Sequence, residues 1–305
     1  VSFKADKIWF DGKLINWDDA KIHVLSHVIH YGSGAFEGLR LYKIKDKSAV
    51  FRLKDHTKRL FETCKIYNME IPYSEDEINQ AIMDTIKANN LKQAYIRPLV
   101  FRGMGALGLN PYKCPVQVII AAWDWGKYLG EEALENGISA CVSSWKRIAP
   151  NTFPFLAKAS GNYLNSQLIK MEAIRNNYDE GIALDIYGYI AEGSGENVFI
   201  IRNQRIITPP SSASILPGIT RHTVFKIAAK LGYKVEAHRL PRESLYIADE
   251  VFLTGTAAEI TPVTRIDNIP IKSGKRGPIT KEIQDCFFGI LSGEIADDHN
   301  WLTYI

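Results

Sequence analysis

The chain is poor in cysteine and has no long apolar run. Cys64, Cys114, Cys141 and Cys286 are widely spaced and form no Cys-x-x-Cys pair, which excludes a zinc ribbon and a dense disulfide framework. Reduced thiols of a cytoplasmic enzyme are the expectation. No apolar stretch approaches the ~20 residues that a membrane helix needs, and no signal-peptide pattern opens the sequence, although a start at Val1 leaves room for a removed leader. Charge of one sign is not in excess either. With 37 basic and 34 acidic residues the formal net charge is +3, dispersed along the chain, so no nucleic-acid or membrane surface is expected. Small anionic ligands remain open. Histidines are few, and although His23, His27 and His30 lie close together, no neighbouring carboxylate or cysteine completes a metal set. They are read as structural, and no metal site is expected.

What remains is an ordinary globular composition, 46% apolar and 23% charged over 305 residues, long enough for two domains. Ile8 to Ile15 reads as a hairpin around Asp11-Gly12. Helices are expected from Asp55, taken as an N-cap, to Met69, and from Glu75 to Asn89, where Ile78, Ile82 and Ile86 form a stripe. Ala94 to Phe101 has a period of two, and Val116 to Trp123 reads as a strand buried on both faces. The glycines around Trp125 and Tyr128 break the pattern. The boundaries drawn are a small N-terminal α/β domain over residues 1–123, an interdomain loop over 124–136 and a larger C-terminal domain over 137–305. In the second half a helix is expected over Asn162–Asn177 with Leu164, Leu168, Met171 and Ile174 as its apolar stripe. Short strands separated by glycine turns follow, then a helix opening at Leu216-Pro217-Gly218-Ile219-Thr220 and a closing helix over Thr280–Leu291.

Several residues stand out chemically. Lys158 sits in Phe-Leu-Ala-Lys-Ala-Ser-Gly, among small and apolar neighbours, unlike the wet and charged settings usual for lysine; imine chemistry with a carbonyl uses an amine so placed. Arg97 lies on an apolar strand face with Tyr95, where a guanidinium is costly unless paired, and so is a carboxylate receptor candidate. Glu192 and Glu196 flank a glycine turn, and either could hold a cationic ring nitrogen. The first turn of the helix at Ile219 and the small-residue turn at Thr256-Ala257 both offer N–H and hydroxyl donors to an anion. Arg59 on its own reads as a solvated helical charge.

The segments His30-Tyr31-Gly32 to Phe36-Glu37-Gly38, Tyr95-Ile96-Arg97-Pro98, Ala157-Lys158-Ala159 to Tyr163, Glu192-Gly193 to Glu196-Asn197, Leu216 to Arg221 and Thr254 to Glu259 occur in an order that resembles the branched-chain aminotransferases. These are fold-type-IV pyridoxal-phosphate enzymes, and the resemblance covers essentially the whole chain. It implies an α+β, two-domain fold whose larger domain is built on a β-barrel-like sheet with flanking helices. It also implies pyridoxal 5′-phosphate held as a Schiff base by Lys158, which then carries the proton between Cα and C4′. By the same resemblance Glu192 faces the pyridine nitrogen and Tyr163 the 3-hydroxyl. Arg59, Ile219, Thr220 and Thr256 take the phosphate, with Leu216 beside the cofactor.

For the substrate, the resemblance places the α-carboxylate at Tyr95 and the N–H groups of Thr256 and Ala257. The side chain would lie among Tyr31, Phe36, Leu107, Leu109, Trp125 and Tyr128, with Gly38 leaving room. Burying leucine, isoleucine or valine there is worth about 1.5–3 kcal/mol. The distal carboxylate of glutamate would go to Arg97, helped by Tyr31 and Arg40. Leu107, Leu109 and Tyr31 would be lent by a neighbouring subunit, which implies a homodimer or an oligomer of dimers. The expected partners are therefore branched-chain L-amino acids, L-glutamate and their 2-oxo acids. The alternative is another fold-type-IV enzyme, a D-amino-acid or (R)-amine transaminase or aminodeoxychorismate lyase. Those share the Lys, Glu and phosphate positions, whereas Tyr95-x-Arg97 and the Thr-Ala-Ala turn favour the branched-chain reading.

Overall fold

The computed structural model describes residues 5–125 and 131–305. The chain divides into two compact units, one made of Val1–Gly126, Ala157–Gly161 and Leu291–Ile305, the other of Lys127–Leu156 and Asn162–Ile290. Among the described residues no helix is long and apolar enough to cross a membrane.

The first unit is built on an antiparallel eight-stranded sheet, ordered Leu302–Tyr304, Lys47–Phe51, Leu39–Ile44, Ala94–Arg102, Val116–Trp123, Lys7–Phe10 and Lys13–Asn16, with Gly34–Phe36 also paired to Ala94–Arg102. The opening hairpin turns on Asp11 and Gly12, both at positive φ, 43° and 87°, as a type I′ turn requires. The Glu75–Ala88 helix begins with a capping box at Ser74 and Glu77 and buries Ile78, Ile82 and Ile86. Those side chains pack with Leu60, Ile96, Val118 and Ile120 in one core.

Two expectations for this unit need correction. The preceding helix runs Leu53–Ile66 and starts from Arg52 in the left-handed region, not from Asp55. Asp55 lies inside the first turn, where its carboxylate accepts from Arg52 Nε at 2.8 Å. The Val116–Trp123 strand is fully buried on one face only, through Val118, Ile120 and Ala122, while its other face is partly covered.

In the second unit a nine-stranded sheet closes on itself. Ile138–Val142, Glu180–Leu184, Ile190–Gly193, Asn197–Arg202, Glu250–Gly255 and Glu259–Ile266 pair in turn, and the last returns to the first. Closure leaves this ring without a free edge, and Ile182, Val198, Ile200, Val251, Leu253 and Val263 pack in its core. The strands Ile138–Val142 and Glu180–Leu184 run parallel, so the link between them needs a crossover. The Tyr163–Arg175 helix provides it, but not with the face expected. Ser166, Ile169 and Ala173 are its buried residues, whereas Leu164, Leu168, Met171 and Ile174 are exposed. The sheet side takes small residues because Gly181 lets the helix close in: a Cβ there would lie 2.7 Å from Ile169 Cγ2.

The Pro278–Ser292 helix is anchored by the buried Glu250. Its carboxylate accepts from Ile279 N–H at 3.1 Å, Thr280 N–H at 2.7 Å and Thr280 Oγ1 at 2.6 Å. A carboxylate in the first turn satisfies otherwise unpaired donors and complements the helix dipole. Glu250→Ala should lower stability by about 1.5–3 kcal/mol. In urea unfolding the midpoint should fall with little change in slope; an unchanged midpoint would show that water replaces the carboxylate at no cost.

Candidate functional site

In the first unit, the lysine is positioned by its backbone. Ala159 bridges to Ala35 in antiparallel fashion, Phe36 N–H donates to Lys158 O at 3.1 Å, and Lys158 N–H donates to Thr63 Oγ1 at 3.0 Å. These contacts set Lys158 beside the Gly34–Phe36 strand, with Nζ 4.9 Å from the Phe36 ring centre. The same ring receives Arg97, whose guanidinium carbon lies 4.7 Å from it and 5.2 Å from the Tyr95 ring. Arg97 Nη2 donates to Tyr95 Oη at 3.0 Å. Its Nε is buried without an acceptor, and among the described residues it has no ion pair.

Tyr95 is held edge-on by Trp125, with ring centres 4.6 Å apart, and lies opposite Arg40 in the strand pairing. Gly38 makes this arrangement sterically feasible, since a Cβ would sit 1.9 Å from Tyr95 Oη. Thus Lys158, Phe36, Gly38, Arg40, Tyr95, Arg97 and Trp125 are brought together. Tyr31 is not among them: it is 43% exposed and packs on His27 at 4.5 Å. Leu107 and Leu109 are also apart from the cluster, 64% and 84% exposed. Tyr128 lies outside the described residues.

Arg59 is not the solvated charge that its helix position suggested. Its Nε donates to Glu37 Oε1 at 2.6 Å and its Nη2 to Glu37 Oε2 at 3.0 Å, with only 11% of the side chain exposed. Glu37, His56 and Thr63 are the residues missed here. The usable signal was the three-residue spacing of His56 and Arg59 on one helix face.

In the second unit, Glu192 is buried and ringed by donors. Arg147 Nη2 meets Oε1 at 2.8 Å, while Asn197 Nδ2 and Leu216 N–H donate to Oε2 at 3.1 and 3.0 Å. Asn197 Nδ2 also donates to Leu216 O at 2.9 Å, so one side chain ties the acid to the loop that opens the Ile219–Lys230 helix. That helix begins at Gly218, an N-cap position with no side chain to close the first turn. Gly218 has to lack a Cβ, which would lie 2.0 Å from Asn197 Oδ1. Thr256 and Ala257 form the turn between Glu250–Gly255 and Glu259–Ile266, and Tyr163 opens its helix. Asn197 stands in a quoted segment but was given no role, and Arg147 was not singled out, because nothing local marks the distant carboxylate they serve.

The groups in this unit fit a cofactor with a cationic ring nitrogen and a phosphate. A buried carboxylate held in place by a guanidinium, an amide and a backbone N–H is fixed in direction, which is what a cationic ring nitrogen requires of its partner. A helix start that no N-cap side chain closes is an anion site.

Comparison with known proteins agrees. The family described as amino-transferase class IV matches residues 34–266. The branched-chain-amino-acid aminotransferase of Escherichia coli K12 is 52% identical over 303 residues, covering 99% of this chain and 98% of its own. A crystal structure of the Escherichia coli branched-chain amino acid aminotransferase superposes with a TM-score of 0.97 at 53% identity, over 98% of this chain and 99% of that one. The branched-chain amino acid aminotransferase of Thermobaculum terrenum, in its PLP-form, gives 0.92 at 34% identity, over 99% of both chains. The chain belongs to the class IV aminotransferases, and within them to the branched-chain-amino-acid aminotransferases. Its cofactor is pyridoxal 5′-phosphate.

Glu196, the other acid of the glycine turn, is differently placed. It is buried, accepts from Gly195 N–H at 3.0 Å, and has no cationic partner within ion-pairing distance among the described residues. Burial, then the negative charge of Glu180, push its carboxyl up to about 8. Between the ordinary value of 4.5 and about 8 the folded chain keeps a proton that the unfolded chain has released, so this group makes stability fall as pH rises through that window. Glu196→Gln should therefore gain stability relative to the wild type as pH is raised from 5 towards 8, read from urea midpoints across the range. A difference independent of pH would contradict the burial argument.

Proposed function

We propose that the chain transfers the amino group between L-leucine, L-isoleucine or L-valine and 2-oxoglutarate, and that Arg97 lets one pocket accept both an apolar side chain and a carboxylate. The observation that carries this is the Arg97 guanidinium, stacked between Phe36 and Tyr95 with no ion pair among the described residues. Leucine would meet the aromatic walls. The distal carboxylate of glutamate would meet the guanidinium, whose unpaired Nε supports a visiting rather than a resident anion.

Pyridoxal 5′-phosphate, when bound, supplies the electron sink for a deprotonated Cα. Lys158 would hold it and, once displaced by the substrate amine, would serve as base and then acid for the Cα proton. Glu192, oriented by Arg147, Asn197 and Leu216, keeps the ring nitrogen protonated, and Tyr163 restrains the 3-hydroxyl. Arg59, Ile219, Thr220 and Thr256 receive the phosphate. Tyr95, Thr256 and Ala257 receive the substrate carboxylate, and Arg40 and Gly38 shape the pocket with Trp125 and Tyr128. Leu107, Leu109 and Tyr31 act in the pocket of a second copy, a homodimer; their exposure supports this. The reaction belongs in the cytoplasm, and the free thiols of Cys64, Cys114, Cys141 and Cys286 support this.

Amino-donor profiles with 2-oxoglutarate as acceptor test the substrate assignment. L-Leucine, L-isoleucine and L-valine should dominate; faster turnover of D-alanine or (R)-1-phenylethylamine would move the chain to another fold-type-IV activity. Arg97→Ala should cost the 2-oxoglutarate half-reaction about 2–5 kcal/mol in kcat/KM, roughly 30- to 5,000-fold, and the leucine half-reaction far less. Equal losses in both would make Arg97 a structural residue.

A further inference from the structure

Glu37 has no part in the roles above, yet it stands between Phe36 and Gly38 with a side chain that is fully buried. Its carboxylate receives four donors: Arg59 Nε at 2.6 Å, Arg59 Nη2 at 3.0 Å, His56 Nδ1 at 2.7 Å and Gly38 N–H at 3.2 Å. Burial would push this carboxyl up, but the charge of Arg59 and the contact with His56 outweigh it and hold it well below the usual carboxylate range. An ionised carboxylate only accepts, so His56 Nδ1 carries the proton in this pair. Burial pushes His56 down despite the pull of Glu37, and the ring serves as a neutral donor.

Three of these donors converge on Oε2 and one on Oε1, and the side chain is fully buried, so Glu37 is spent on protein donors and closed to solvent. What it does fix is the guanidinium. The Nε–Nη2 edge of Arg59 is committed to Glu37, and in a planar fork this sets the direction of every remaining N–H. The rotamer freedom that a long side chain would lose on meeting an anion is already lost before the anion arrives.

We propose that Glu37, itself fixed by His56, is a positioning residue that presets Arg59 for the cofactor phosphate; this rests on the reading of Arg59 as a phosphate ligand. The charge of Glu37 works against that task, because a carboxylate beside Arg59 offsets the field that the phosphate feels. A purely electrostatic account therefore makes Glu37→Gln bind the cofactor more tightly, and a positioning account makes it bind more weakly.

Equilibrium binding of pyridoxal 5′-phosphate and of pyridoxal, which lacks the phosphate, to the full-length chain separates these accounts by visible absorbance. Arg59→Ala should weaken pyridoxal 5′-phosphate and spare pyridoxal. Glu37→Gln should weaken pyridoxal 5′-phosphate about tenfold or more, change pyridoxal by less than about twofold, and add nothing in the Arg59→Ala background. Glu37→Asp keeps the charge but shortens the reach, and should give the same split even if the Gln variant does not fold. Unchanged or tighter pyridoxal 5′-phosphate binding in the Glu37 variants, with Arg59→Ala impaired, overturns the positioning role. Equal loss for pyridoxal, or a loss that persists without Arg59, makes Glu37 structural and overturns it as well. Arg59→Ala with unchanged pyridoxal 5′-phosphate binding overturns the phosphate reading of Arg59 instead, and the proposal with it.

Discussion

A guanidinium withdrawn from water must recover its lost hydration, and two arginines of the first unit do so in opposite ways. Arg59 is met by a buried carboxylate that takes two of its donors. Arg97 is given aromatic faces and one phenol oxygen instead. The first solution yields a fixed donor set, the second a cation still short of an acceptor. A pocket that must take an aliphatic side chain in one half-reaction and a carboxylate in the other needs the second kind. A resident carboxylate beside Arg97 would compete with glutamate, and an exposed arginine would leave leucine against water.

The backbone around Lys158 serves the same end. Pairing of Ala159 with Ala35, and of Phe36 N–H with Lys158 O, makes Phe36 the shared neighbour of the amine and the guanidinium. Arg97 is therefore placed by the Ala94–Arg102 strand, and Lys158, outside any strand, by the backbone contacts on either side of it, which favours precise positioning of reacting groups. In the second unit Asn197 has the corresponding task, joining Glu192 to the Leu216 loop and excluding any side chain at position 218.

Much of the fold was legible because its signals are local. The Asp11-Gly12 turn, the Ile78, Ile82 and Ile86 stripe and the short strands of the second half each follow from a few adjacent residues. Ring closure was not legible locally, since it joins Ile138–Val142 to Glu259–Ile266; the barrel-like sheet came only from the family resemblance. The Tyr163–Arg175 helix misled for a physical reason: its apolar stripe faces outward, and periodicity does not say which face a helix buries. Of the candidate site, Lys158 and Arg97 could be picked out from their uncharged surroundings. Glu37 could not, because 22 residues separate it from Arg59 along the chain, and the spacing of His56 and Arg59 on one helix gains its meaning only from the carboxylate that both meet.

That Lys158 carries the cofactor and works on the amino acid is tested most directly by the visible spectrum of the purified holoenzyme. The wild type should be yellow, with a band that shifts when L-leucine is added, and Lys158→Ala should lose that band and its shift. A Lys158→Ala protein with the wild-type spectrum and the same response to L-leucine would contradict the account.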